Sequence, residues 1–466
     1  MKGKLYIFGI GGTGSRVLRS FTMMMAAGVK FGVKEVVPII IDPDMANADL
    51  TRTVSLMNNY QAVRSNLSFT NDNPTMFFRT ELSKILPNYT LRIQDTDDKT
   101  FQQFIDLPSM DKSSQAMMRM LFSEKNLTSS MEVGFKGNPN IGSVVLNQIV
   151  NSADFENFAT HFEQGDKIFI ISSIFGGTGA SGFPLLLKTL RTGNNFSNND
   201  LINKAEIGAI SILPYFKLTS DEESEIDSST FISKTKSALS YYENNISKNG
   251  SINALYFLAD NVSNVYENHE GGSAQKNNAH LIEFLAATAI VDFCSKQHID
   301  TTNKELGLKD FEDSVTFDSF YNEQRHLLFE PLTKFIMMAN CLTQKFDYYK
   351  SNSFAANYDN FKGLYDSSFM SSLRSIMKLY VEWLEEMKGN KRSLDLFNLK
   401  SGDKPFDVVT GYKPKKIISV KSDYDLVTSR LNTMIKTKCH CKEDANKFLE
   451  MFHLGLSKLL NEKFSI

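Results

Sequence analysis

Cysteine is scarce in this sequence, which has four among 466 residues. So few thiols cannot form a disulfide framework, and they favour a reducing compartment. Long apolar runs are missing as well, since no stretch approaches the roughly 18 uninterrupted apolar residues of a membrane span. A surplus of positive charge is also lacking, because 51 Lys and Arg stand against 53 Asp and Glu. We therefore expect a cytoplasmic protein that neither inserts into a membrane nor binds nucleic acid.

The composition is that of a globular protein with a sizeable core, at 42% apolar and 22% charged residues. At about 150 residues per domain, the length predicts two or three domains. An apolar run begins within five residues of Met1 and leads at once into glycines. This pattern predicts a strand entering a turn rather than a signal peptide.

Short apolar runs alternate with longer helical stretches in the first half of the chain, which is typical of a parallel sheet covered by helices. The predicted fold class is therefore α/β. Residues 54–130 are polar and are predicted to form helices and loops inserted on the surface. Pro184 is predicted to open a helix, because proline is tolerated in the first turn. Strands are predicted at 5–10, 36–41, 167–173, 206–213 and 254–259, with helices at 15–27 and 278–294.

A polar and charged tract at 296–313 marks the best candidate for a domain boundary. It divides the sequence into a first domain at 1–295 and a smaller α+β domain at 296–466. The second part is expected to contain a strand at 415–420. Its last helix carries an apolar face formed by Phe448, Phe452, Leu456 and Leu459.

Two glycine-rich loops each follow a predicted strand and precede a predicted helix, at 9–15 and 175–182. Without Cβ atoms the backbone N–H groups can point inward, and the helix dipole adds positive charge, so each loop is a candidate anion cradle. Neither loop carries the lysine of a Walker P-loop. A phosphate site here would depend on backbone amides, on a metal ion, and on hydroxyls from Thr13, Ser15, Thr178 and Ser181.

The second loop, Gly176-Gly177-Thr178-Gly179-Ala180-Ser181-Gly182, resembles the G-G-T-G-[ST]-G signature of the tubulin/FtsZ superfamily. Further segments follow in that family's order. Residues 9–15 look like its first nucleotide loop, and Asp42-Pro43-Asp44 stands where its second loop lies. Residues 137–142 resemble the loop that lies against the γ-phosphate. Pro214-Tyr215-Phe216 is similar to the start of the sugar-binding loop, and Asp260-Asn261 and Asn278 resemble the residues that read the base.

The resemblance covers about residues 1–295 and implies a Rossmann-like GTP-binding domain that ends in a long central helix. It also implies GTP or GDP with Mg²⁺ as ligand, and a prokaryotic cytoskeletal protein that associates with itself. Filaments and GTP hydrolysis completed between subunits would follow. The nucleotide-binding residues that it implies are Gly9, Gly11, Gly12, Thr13, Gly14, Ser15, Asp42, Asp44, Gly137, Asn138, Gly176, Gly177, Thr178, Gly179, Ala180, Ser181, Pro214, Asn261 and Asn278.

The sequence departs from the family where hydrolysis is concerned. FtsZ carries an acidic N-x-D-x-x-D loop after its central helix, whereas this sequence has only Asp292 and Asp300 near that place. No catalytic residue is assigned for this reason. A scaffold that binds nucleotide without turnover is thus a second hypothesis, with partner proteins bound through 296–466.

An adenylating enzyme of ThiF type is a third hypothesis. Those enzymes carry G-x-G-G-x-G, then an acidic pair, then Asn-Leu-x-Arg, with the arginine near the phosphates. Residues 9–14, Asp42, Asn47, Leu50 and Arg52 resemble this pattern, although Asn47 and Leu50 are not adjacent. The second glycine loop is left unexplained by this hypothesis.

Several smaller signals have more than one interpretation. Asp42 and Asp44 fit a role beside Mg²⁺ or the nucleotide, and they equally fit a turn around Pro43. The acidic run at 221–225 fits a contact to the ribose or a solvated loop. His280 is expected to make a hydrogen bond in the core. No metal centre held by the protein alone is predicted, because Cys439-His440-Cys441 lacks zinc spacing.

Overall fold

A computed structural model describes residues 3–70, 73–131, 134–135, 137–219, 230–261, 264–266, 272–295, 308, 313–351, 361–402, 404–415 and 422–464. Within these residues no helix is long and apolar enough to cross a membrane.

Six parallel strands form the central sheet, in the order β3-β2-β1-β4-β5-β6. The predicted α/β class is confirmed, and the arrangement is consistent with the Rossmann-like fold that the resemblance implies. The strands are β1 (Leu5–Ile10), β2 (Glu35–Ile41), β3 (Glu81–Leu82), β4 (Lys167–Ser173), β5 (Glu206–Ile212) and β6 (Ala254–Leu258). Two further pairs of short strands join Phe216–Leu218 to Asn264–Tyr266, and Ser314–Val315 to Ser393–Leu394.

Helices cover the sheet and make up most of the second half of the described chain. They are α1 (Gly11–Ala27), α2 (Ala48–Arg64), α3 (Phe101–Phe104), α4 (Lys112–Leu121), α5 (Glu124–Leu127), α6 (Pro139–Leu146), α7 (Ala153–His161), α8 (Gly177–Thr192), α9 (Asn199–Asn203), α10 (Phe231–Tyr242), α11 (Leu281–Ser295), α12 (Asn322–Gln344), α13 (Phe346–Ser351), α14 (Ser368–Lys388), α15 (Asp423–Thr437) and α16 (Asp444–Phe464).

Strand β1 and helix α1 are joined without a linker and lie in very close contact. Every residue of β1 is buried, as expected of a central strand in a sheet covered on both faces. A methyl group added at Gly14 would lie 2.4 Å from the carbonyl carbon of Gly9, closer than real Cβ atoms come to backbone. Gly9 and Gly14 therefore serve the packing of α1 on β1.

We expect Gly14→Ala to lower the free energy of unfolding by about 2 kcal/mol, because the methyl group would overlap the β1 backbone. Urea denaturation measures this loss. Gly12→Ala is the matched control, since a methyl group there has no heavy atom closer than 3.6 Å. Equal stability of the two variants would mean that α1 and β1 are less closely packed than described.

Three helix starts differ from the predictions made from sequence. Helix α1 begins at Gly11, four residues before its predicted start at position 15. Helix α8 begins at Gly177, so Pro184 lies inside the helix and the prediction that it opens a helix is wrong. Its missing N–H leaves the Ala180 carbonyl without the usual helical donor. Helix α11 begins at Leu281, three residues after the predicted start.

The segment 54–130 forms helices and loops as predicted, but part of it lies in the core. Residues up to Arg64 continue α2, and Phe77, Phe78 and Tyr89 are fully buried. The prediction of a surface segment is therefore wrong for these residues.

The C-terminal helices pack against the first half of the chain. Helix α14 contacts α2 and α12, and α16 contacts α12 and α15. Trp383 of α14 is buried and donates its indole N–H to Ser20 of α1 at 3.2 Å. The predicted apolar face of the last helix is confirmed, since its four named residues are fully buried. The predicted strand at 415–420 and most of the predicted boundary at 296–313 lie outside the described residues, so the division at 295/296 stays a prediction.

Candidate nucleotide-binding cleft

A cleft opens at the carboxyl ends of β1 and β4, where the strand order reverses. In open parallel sheets the crevice at such a switch point is the usual ligand site. Loops after β1, β2, β4 and β5 meet there with residues preceding α11. The lining residues are Gly11, Gly12, Thr13, Arg16, Asp42, Asp44, Asn47, Gly134, Phe135, Gly137, Ser173, Phe175, Gly176, Gly177, Thr178, Gly179, Phe216, Leu218, Phe231, Gln275 and Asn277.

Two helices begin in this cleft without side-chain caps. Neither α1 nor α8 has a capping side chain, and neither carries an acidic residue in its first turn. The first N–H groups of a helix have no intrahelical acceptor, and the helix dipole adds positive charge. Helix α6 provides the contrast, because the side chain of Asn138 accepts from the N–H groups of Asn140 and Ile141. The α1 and α8 termini therefore differ from α6 in having no side chain that accepts from their first N–H groups.

The glycine loops approach one another so closely that side chains would fill the space between them. A methyl group at Gly11 would lie 3.5 Å from Cβ of Thr178, and one at Gly177 would lie 3.1 Å from the Gly137 nitrogen. Gly11 and Gly137 also have φ of +70° and +73°, a region that favours glycine. Lys234 of α10 donates to the Gly137 carbonyl at 2.8 Å and brings a cation to this loop.

Carboxylates form the side of the cleft that follows β2. Asp42 accepts from the Asp44 N–H at 3.1 Å, and Asp44 accepts from the N–H of Ala46 at 3.2 Å and of Gly272 at 2.7 Å. The pKa of Asp42 is raised to about 7, chiefly by burial and also by the nearby carboxylates of Asp44 and Asp49, against the lowering effects of the hydrogen bond from the Asp44 N–H and of Arg16. The turn interpretation of this pair is confirmed by these contacts. Both residues also line the cleft, and their role beside Mg²⁺ or the nucleotide stays a prediction.

Hard oxygen donors of this kind suit Mg²⁺, which is usually held by one or two carboxylates together with substrate phosphates. Among the described residues no group of three or more His, Cys, Asp and Glu could hold a metal. Asp42 and Asp44 therefore fit a magnesium ion that arrives with a phosphate ligand.

Three amide side chains line the same side, and their contacts fix which way they face. Asn47 accepts with its oxygen from the Asp49 and Leu50 N–H groups, so its Nδ2 is the donor to Oε1 of Gln275 at 2.7 Å. Asn277 must present Nδ2 to Asp49, an acceptor, at 3.2 Å. Gln275 thus has an N–H donor left for a ligand, and Asn277 has an oxygen acceptor.

Aromatic rings form an apolar part of the cleft lining. Phe175 lies 4.9 Å from Phe231 and 5.6 Å from Phe216 between ring centroids, and Phe135 and Leu218 also line the cleft. Flat apolar surface of this kind suits the sugar or base of a nucleotide and not its phosphates.

A buried ionic network supports the cleft from below. Arg16 donates to Glu283 at 2.6 Å, to Asp49 at 3.1 Å and to the hydroxyl of Tyr215 at 2.9 Å. The side chains of Arg16, Asp49 and Glu283 are at most 5% exposed, so each charge depends on its partners. Arg16 therefore ties α1 to α2 and α11 at the floor of the cleft.

The structure brings many of the predicted site residues together, namely Gly11, Gly12, Thr13, Asp42, Asp44, Gly137, Gly176, Gly177, Thr178 and Gly179. It places the others outside the described lining, and some have evident structural roles. Gly9 and Gly14 pack β1 on α1, Asn138 caps α6, and Ser181 donates to the Gly177 carbonyl within α8 at 2.7 Å. Ser15 is fully buried, and Ala180 and Pro214 are half-buried and are not among the lining residues.

The asparagines predicted to read the base are exposed instead. Asn278 and Asn261 do not line the cleft, whereas Asn277, one position earlier, does. Asp260 is held by a buried ion pair with Arg392. His280 is buried and accepts from the Ile282 N–H at 3.1 Å, which confirms its predicted place in the core. The acidic run at 221–225 lies outside the described residues.

No protein-family model matches the chain, and no curated protein matches it. The chain is similar to the solved structure of CetZ2 from Haloferax volcanii as a GTPγS-bound protofilament, with a TM-score of 0.31 and 13% identity over 63% of this chain and 58% of that one. It is also similar to GDP-bound monomeric CetZ1 from the same organism, with a TM-score of 0.29 and 15% identity over 63% and 61%. The match spans about three fifths of the length of these structures. These TM-scores are too low to establish a shared fold.

Proposed function

We propose that this chain is a tubulin-like protein that binds GTP or GDP in the cleft between its two glycine loops. One observation carries the proposal: two helices without caps or acidic first turns begin side by side at the switch point of a parallel sheet. Backbone N–H groups from two helix ends give a polyphosphate more donors than a single glycine loop would.

We assign the remaining parts of the nucleotide to the other residues that line the cleft. The α1 and α8 termini hold the phosphates, and Asp42 and Asp44 face a magnesium ion on them. When bound, Mg²⁺ supplies neutralising charge and polarises phosphate oxygens. The donor of Gln275 and the acceptor of Asn277 match the O6 and N1–H groups of guanine, with Asn277 in the role expected of Asn278. Sugar and base have flat apolar surface at Phe175 and Phe216.

We further propose that the protein associates with itself and that GTP hydrolysis depends on this association. In-line attack of water on the terminal phosphate needs a group that orients the water. Among the described lining residues the only carboxylates are Asp42 and Asp44, which lie on the side proposed for the metal. We therefore place hydrolysis in an assembly in which a second subunit completes the site. Phosphate release and sedimentation across protein concentration test this, and tight GTP binding with neither would leave a nucleotide-binding scaffold.

The adenylating hypothesis has less support from the geometry. Its arginine would have to face the phosphates, but Arg52 is held by Asp49 at 2.6 Å and by Glu386 at 2.9 Å and does not line the cleft. The second glycine loop, which that hypothesis leaves unused, supplies one of the two helix termini.

We expect Gly12→Val to weaken GTP binding by more than about tenfold while the protein stays folded. The site has room for a side chain, because a methyl group there meets nothing closer than Nη1 of Arg16 at 3.6 Å. The added atoms would then occupy the space proposed for phosphate. Isothermal titration calorimetry measures the affinity, and thermal unfolding checks the fold. Unchanged GTP affinity in this variant, or no GTP binding by the wild-type protein, would refute the proposed site.

A further inference from the structure

Helix α14 supplies none of the described lining residues, yet one of its carboxylates contacts three of the elements that support the cleft. Glu386 accepts from Arg19 of α1 at 2.8 Å and from Arg52 of α2 at 2.9 Å. It also accepts from the backbone N–H of Ala279 at 2.8 Å. Since the Glu386 side chain is only 17% exposed, these contacts are shielded from water.

The contact to Ala279 matters because the segment 272–280 carries Gln275 and Asn277, the amide residues at the cleft wall. The backbone of Asn277 is held on both sides. Asp49 accepts its N–H at 3.2 Å, and Arg52 donates to its carbonyl at 2.6 Å. Arg52 is in turn oriented by Glu386.

We propose that Glu386 is a positioning residue of the nucleotide site, which sets the place of Gln275 and Asn277 from outside the cleft. The assignment rests on the proposed function. Glu386 fixes the segment directly through Ala279 and indirectly through Arg52. A nucleotide base held at this wall therefore depends on Glu386. Phosphates held by the α1 and α8 termini depend on it far less, because Glu386 contacts α1 at Arg19, eight residues after that helix begins.

The test compares two ligands on the full chain by calorimetry, GTP and inorganic tripolyphosphate. In Glu386→Gln one carboxylate oxygen becomes an NH₂ group that faces N–H donors, so a buried contact is lost. We expect GTP affinity to fall about tenfold and tripolyphosphate affinity to change by less than about twofold. Glu385→Gln is the matched control, because Glu385 is the neighbouring residue and is exposed. It should bind both ligands like the wild type.

The remaining outcomes distinguish a failure of the positioning role from a failure of the proposed function. If the wild type binds GTP and Glu386→Gln binds it equally well, or loses both ligands in equal proportion, the positioning role is overturned. If the wild type binds no GTP, the proposed function fails and this assignment fails with it. Should Glu386→Gln not fold, Arg52→Lys provides the second variant. Arg52 reaches Glu386 from Nη1 and reaches Asp49 and the Asn277 carbonyl from Nη2, whereas a lysine has one nitrogen and cannot occupy both positions. The same selective loss of GTP affinity is therefore expected.

Discussion

Replacing Arg16 by methionine should lower the free energy of unfolding by about 3 to 5 kcal/mol, the cost typical of removing one partner from a buried ion pair. The variant leaves Glu283, with a 1% exposed side chain, without the guanidinium that neutralises it. Asp49 still has its ion pair with Arg52 at 2.6 Å in this variant, so the loss of stability arises mainly at Glu283. Urea denaturation measures the loss.

Arg191→Met serves as the matched control for this variant. Arg191 donates to the carbonyl oxygens of Ser251, Asn203 and Ala205 and to Oδ1 of Asn253, and not to a carboxylate, so its removal strands no charge. We expect a loss of about 2 kcal/mol there, since neutral acceptors are left without a donor. The double variant Arg16→Met with Glu283→Leu should recover part of the loss, because it removes both charges. An Arg16 variant no less stable than the Arg191 variant would contradict the network.

The loss from Arg16→Met should also depend on pH. Burial raises the pKa of Glu283 in the folded protein, against the lowering effect of Arg16. Without Arg16 that pKa rises further, and a carboxyl whose folded pKa is raised loses stability as pH rises above its unfolded value. The deficit should therefore be smaller near pH 5 than near pH 8.

The glycine loops could be predicted from sequence because their signal is local. An apolar strand followed by glycines and a helix specifies backbone conformation within a few residues. The start of α8 could not be predicted from the same glycine-rich composition. Its first turns contain mostly Gly, Thr, Ala and Ser, so no helical spacing of apolar residues is visible before Phe183. Proline at position 184 was then the nearest visible signal, and it gave the wrong start.

The amide wall could not be predicted, because it depends on contacts between distant parts of the chain. Gln275 and Asn277 face the cleft through bonds to Asn47 and Asp49, which lie 228 positions earlier. The family resemblance pointed to Asn278, one residue away, because a motif fixes position along the chain but not which way a loop turns. Arg16 was missed for the same reason, since nothing near it in sequence marks Glu283 as its partner.

Asp42 should make the stability of the metal-free protein fall as pH rises. Its pKa is raised from 3.8 to about 7, chiefly by burial, so between these values the folded chain binds a proton that the unfolded chain has released. Each pH unit in that window costs about 1.4 kcal/mol, and the cost stops growing above the folded pKa. From about pH 5 to about pH 8 the free energy of unfolding should thus drop by about 2 to 3 kcal/mol on account of this group.

Asp42→Asn tests this, because its amide oxygen can still accept the Asp44 N–H while the titratable group is gone. We expect urea denaturation in the presence of a chelator to show that the free energy of unfolding of the variant increases relative to that of the wild type as pH rises through this window. Asp200→Asn controls for removing a carboxylate from the chain, since Asp200 is exposed. A difference between Asp42→Asn and wild type that is flat with pH would mean that Asp42 is already ionised in the folded protein. In that case Asp42 and Asp44 would both carry full negative charge beside the glycine loops. A bound cation would then be required to neutralise them before a phosphate could bind.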